Sequence, residues 1–147
     1  MTRTRFMRLT NPFTGIMYLL LALLLVAGMP ARGHAAGECG VDPGRHADLA
    51  TKIAYGHAFT KHSGEFVKGV VIARLAFPDK TIEDAEKFAE FLTKILDLPS
   101  VSKSLTNSRA AYWDSRTGTV IIFNPLPEDC GTAFRPTSGK AYFDNLR

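Results

Sequence analysis

The chain of 147 residues has little of what usually announces a chemistry. It holds two cysteines, Cys39 and Cys130, and no Cys-x-x-Cys spacing, which argues against a zinc site. It lacks a glycine-rich nucleotide loop, a helix carrying the paired histidines of zinc peptidases, and a Gly-x-Ser-x-Gly elbow. The chemistries that depend on those motifs lose their signature, and neither a metal nor a cofactor is expected. Internal repeats and low-complexity tracts are absent as well.

A long membrane-spanning run is also missing. The apolar stretch from Ile16 to Val26 falls short of the about 20 residues that a span requires, and Gly28 and Pro30 end it. Arg3, Arg5 and Arg8 precede it, and the small residues of Ala31-Arg32-Gly33-His34-Ala35-Ala36 follow. That order is the pattern of a secretory signal peptide over residues 1–36, cleaved after Ala35 or Ala36. Residues 37–147 are then one exported domain, periplasmic or extracellular, with no stable membrane association. A monomer is expected.

Surplus positive charge disappears with the signal. Its removal takes away Arg3, Arg5, Arg8 and Arg32 and no acidic residue, so the formal charge of +4 falls to about zero. Asp79, Glu83, Asp84, Glu86 and Glu90 crowd one segment, while Lys61, Lys68, Arg74, Arg109, Arg116, Arg135 and Lys140 flank it. Such a distribution fits a localised anion site or a solvated mixture. The two cysteines of an exported chain are expected to pair. Closing a loop of about 90 residues would add roughly 4 kcal/mol in the chain-entropy account.

Asp42-Pro43 reads as a helix start, with Leu49, Ile53 and Ala54 at helical spacing as far as about Tyr55. The helix can extend through Phe59 until Gly64, and Phe59 and Phe66 suit the core. Val70 to Phe77 fits a short strand or a helix. Thr81 to Asp84 reads as a cap, followed by the stripe Ile82, Ala85, Phe88, Ala89, Leu92, Ile95 and Leu96, which ends before Pro99. Strands are expected over Arg109–Asp114 and Thr119–Asn124. A second hairpin is expected from Thr132–Arg135 through Thr137-Ser138-Gly139 to Lys140–Phe143. The fold class is α+β, with N-terminal helices packed on a C-terminal antiparallel β-meander of about four strands.

The remaining inventory of His, Lys, Arg and Thr, with few carboxylates nearby, suits cleavage of RNA without a metal. His can carry the proton steps, and cations and hydroxyls can hold the phosphate. His57, four residues before Lys61, shares its helix face and is either a second proton-transfer group or a polar edge residue. Arg109 either meets the phosphate or pairs with the acidic helix.

Lys61-His62-Ser63-Gly64-Glu65-Phe66 resembles the Lys-His-x-x-acidic-Phe segment of the colicin D nuclease domain and of related contact-dependent-inhibition toxin tips. These are metal-independent ribonucleases of the barnase-, EndoU- and RelE-like group. The likeness continues through Arg109-Ala110-Ala111-Tyr112-Trp113-Asp114, Gly118-Thr119-Val120-Ile121-Ile122, Gly131-Thr132-Ala133-Phe134-Arg135-Pro136 and Gly139-Lys140-Ala141-Tyr142-Phe143. It implies His62 as catalytic base and Lys61 beside it as a phosphate-contacting cation. Thr132, Phe134 and Arg135 fall where colicin D has a functional serine, a tryptophan and a lysine. Thr132 and Arg135 are expected at the phosphate, with Phe134, Arg109, His57 and Lys140 binding substrate. An upstream lysine of that segment falls at Phe59 here.

The resemblance implies an exported endoribonuclease toxin acting on RNA, tRNA among the candidates, through a 2′,3′-cyclic phosphate. A cognate immunity protein would be its partner. The alternative is a non-catalytic periplasmic binding protein that keeps the fold and presents Tyr112, Trp113 and Phe134 to its ligand.

Overall fold

The structure is a computed structural model and describes residues 39–147. The proposed signal segment lies outside the described residues. Among them no helix is long and apolar enough to cross a membrane.

Asp42 does not begin the first helix. Its carboxylate accepts from Gly44 N and its carbonyl from Arg45 N, which makes a turn. Helix α1 then runs His46–Ile53 and buries Leu49, Ala50 and Ile53. It passes into a π-helical segment, Ala54–Ala58, kinked at Gly56 (φ −69°, ψ −129°), and then into α2, Phe59–His62. A 3₁₀ turn, Ser63–Glu65, closes this half. The ambiguous stretch after Phe66 is a two-stranded hairpin, β1 (Val71–Ile72) paired with β2 (Leu75–Ala76).

Helix α3, Ala85–Asp97, starts where Asp84 Oδ1 accepts the Lys87 N–H at 2.7 Å. It buries Phe88, Ala89, Leu92, Ile95 and Leu96 of the stripe read from the sequence, with Phe91 added; Ile82 is buried just before the helix and Ala85 is half-buried. The fold is α+β. After the helices comes a four-stranded antiparallel sheet ordered β3 (Val101–Ser104), β4 (Ala110–Asp114), β5 (Thr119–Phe123), β6 (Gly131–Phe134). The small hairpin is separate from it.

Two strand expectations change. The fourth strand is Val101–Ser104, and the segment expected as a returning strand is a helix, α4, Lys140–Asn145. The segment after Gly139 makes no ladder with β6, whose one strand partner is β5. Phe143 instead packs its ring on Trp113 at 6.3 Å.

Alternation along the strands makes two cores. Ile121, Phe123 and Ala133 join the helical core around Phe66, Phe88 and Leu92. Ala111, Trp113 and Val120 face the other way, under Phe143 of α4. Cys39 and Cys130 form the expected disulfide, which ties the start of the described chain to the residue before β6.

Candidate functional site

His62 is the last residue of α2, and the 3₁₀ turn after it brings Glu65 back beneath the imidazole. His62 Nδ1 and Glu65 Oε1 are 2.8 Å apart. The second carboxylate oxygen, Oε2, accepts the backbone N–H of Arg135 at 2.6 Å. Both carboxylate oxygens are therefore spoken for, and the ring is held from one side only. With Nδ1 as the donor, Nε2 keeps its lone pair for an incoming proton.

The other face of the site is aromatic. His62 stacks on Phe134 with centroids 5.3 Å apart and planes 27° apart. Tyr142 of α4 meets Phe134 edge-on at 5.2 Å. Thr132 lies two residues before Phe134 on β6 and so shares its face, half-buried. His62, Phe134 and Tyr142 thus form one aromatic group at the end of β6, with Thr132 on the same face of that strand.

Arg135 is in this region but does not face it. It is 2 % exposed. Its Nε donates to Thr117 O, Nη1 to Glu65 O and Val70 O, and Nη2 to Leu75 O, all between 2.6 and 3.0 Å. These bonds occupy four of the five N–H groups of a guanidinium. Burial lowers its pKa and Glu65 opposes that change. The cation expected at the phosphate therefore serves as a rivet: it fixes the 3₁₀ turn, both ends of the β1–β2 hairpin and the β4–β5 turn to one point.

Other expected residues are not brought to His62. His57 pairs through Nδ1 with Asp129, beyond the opposite end of β6 from Phe134. Gly56 allows this approach, since a Cβ there would collide with the Asp129 side chain. Arg109 meets neither a phosphate site nor the acidic helix: it donates to Thr106 O and Oγ1 and to Arg147 O, on the β3–β4 turn. Ala110, its neighbour, pairs with Phe123 and through it with Gly131, the row farthest from Phe134. Lys140 is exposed on α4 and pairs with Asp144 at 2.6 Å. Lys61 is exposed beside His62, with no side-chain bond among the described residues.

The aromatic display expected for a binding protein is largely withdrawn. Trp113 is 4 % exposed, and Tyr112 is half-buried against the helical core, with its pKa raised by that burial.

Glu65 was visible in the sequence as the acidic member of the Lys-His-x-x-acidic-Phe segment, yet its role depends on an N–H 70 residues away. Tyr142 was equally hidden, because its approach needs α4 to be a helix. Among the described residues no group of three or more His, Cys, Asp or Glu is placed to hold a metal ion. No family model, no curated protein and no solved structure matches the chain.

Proposed function

We propose that the domain is a small ribonuclease toxin of the colicin D-like type that cleaves RNA by transesterification, with His62 as general base. The observation that carries this reading is the bridge His62–Glu65–Arg135 N, which orients the ring and leaves Nε2 available. In the reaction Nε2 takes the 2′-hydroxyl proton and the 2′-oxygen attacks phosphorus. The bond to the 5′-oxygen breaks, and that oxygen takes a proton from water and leaves as a hydroxyl. The products are a 2′,3′-cyclic phosphate and a 5′-hydroxyl end. Glu65 would stabilise the imidazolium as it forms.

Phe134 and Tyr142 offer a wall on which a base can stack. Thr132 supplies a hydroxyl on the same face, and Lys61 an exposed cation beside the ring. The signal-like N-terminus and the disulfide support export. A toxin of this kind needs an immunity protein, and an acidic partner would suit the exposed Lys61 beside His62.

The test is cleavage of tRNA and of generic RNA by the mature domain in the presence of EDTA. Cleavage with cyclic-phosphate ends, abolished in His62→Ala, is the expected result. Intact RNA with both proteins would sink the reading and return attention to a binding role.

A further inference from the structure

The β1–β2 hairpin turns through Ala73 and Arg74, both in left-handed conformation with φ of 51° and 68°. A two-residue turn with both central residues left-handed is the type I′ pattern, which strongly favours Asn-Gly. Here an alanine and an arginine sit in it. A bulky side chain is rarely kept in that region unless the surroundings hold it there.

The surroundings do so. Arg135 binds Val70 O and Leu75 O at the two sides of the hairpin, and its Nη1 also binds the carbonyl of Glu65, the residue that orients His62. At the other end, a Cβ added to Gly139 would stand 3.1 Å from Ala73 Cβ. Gly139 in turn accepts from Tyr142 N at 3.1 Å. Arg135 therefore ties the hairpin to Glu65, the partner of His62, and the hairpin's tip lies against Gly139 at the start of the helix that carries Tyr142. Arg74, at its tip, is exposed and has no ion pair or side-chain hydrogen bond among the described residues. Arg116 and Lys140, by contrast, are paired with Asp79 and Asp144.

We propose that Arg74, presented on the strained tip of a hairpin riveted by Arg135, is the cation that grips an RNA phosphate beside His62. This rests on the ribonuclease reading for the identity of the anion. It gives Arg74 the contact that the sequence assigned to Arg135. The sequence placed Arg74 only among the basic residues flanking the acidic segment, with no role of its own.

The experiment measures binding of a fluorescent single-stranded RNA with 2′-O-methyl groups, which cannot be cleaved, across a range of salt concentrations. Arg74→Gly is the informative variant, because glycine adopts left-handed φ freely and the turn should fold at least as well without the charge. Expected is about a tenfold weaker Kd, with the slope of log K against log salt smaller by about 0.7. Ala73→Gly, which eases the same turn and keeps the arginine, should bind as the parent does. An Arg74→Gly protein with unchanged affinity and slope overturns the proposal, as does a parent protein that does not bind the oligonucleotide. If Arg74→Gly loses binding while the parent cleaves no unmodified RNA, the clamp stands and the ribonuclease reading falls.

Discussion

At the scale of single residues, the site depends on groups that would not touch substrate. Glu65 is a positioning residue: it sets the imidazole of His62 and is itself fixed by a backbone N–H. Glu65→Gln should lower kcat about a hundredfold with KM little changed, whereas a merely structural role would move the melting temperature instead. Single-turnover cleavage assays and thermal melts on the same preparations separate the two. Arg135→Met would strand four carbonyls that now share one buried cation. A cost of roughly 3–5 kcal/mol is expected, read as a lower urea midpoint at unchanged slope. The sequence could not distinguish Arg135 from a surface cation, because its identity as a rivet depends on carbonyls from four separated places. The structure shows the arginine buried on those carbonyls, with its backbone N–H on Glu65.

At the scale of elements, legibility followed the strength of local pattern. Helix α3 was readable because Asp84 and the stripe ending at Pro99 agree, and β4 and β5 were readable from their β-branched and aromatic run. Strand β3 was missed, since Val-Ser-Lys-Ser offers one apolar residue and no alternation; its pairing with β4 supplies what its own sequence lacks. Helix α4 was misread because Tyr142 and Phe143 look strand-like, while the contacts they make as a helix are with residues outside that segment, Phe134 and Trp113. Two glycines test how rigidly β6 is held. Gly131 has φ of 129°, and a Cβ there would run into the Ile122 carbonyl. Gly131→Ala should cost on the order of 3 kcal/mol and weaken cleavage by shifting Phe134. Gly64 has open space around it, and Gly64→Ala should change stability by no more than about 0.5 kcal/mol. Paired denaturation curves check both.

At the scale of the whole molecule, the disulfide and the half-buried Tyr112 set the conditions under which the fold persists. Replacing Cys39 and Cys130 by serine should cost roughly 4 kcal/mol in the chain-entropy account, measurable as the difference between oxidised and reduced unfolding curves. Burial holds Tyr112 above its ordinary pKa of 10.0, so the folded state keeps a proton that the unfolded chain gives up. Its contribution is therefore full below pH 10 and is lost as pH rises through the folded value. Alkaline stability curves on Tyr112→Phe, which has no proton to lose, should fall less steeply above that pH than those of the parent.

The crosslink has a mechanical consequence. Cys39 is joined to Cys130, next to β6, so tension applied at the amino end bypasses both N-terminal helices and reaches the sheet directly. In a protein pulled by that end while oxidised, the load falls on β6 and the chain after it, and α1 and α2 lie outside the path of tension. Once the bridge is reduced, the helices can be peeled off turn by turn, His62 with them, under a much smaller load. The same covalent link that stabilises the folded domain would thus decide which end a threading machine can profitably seize.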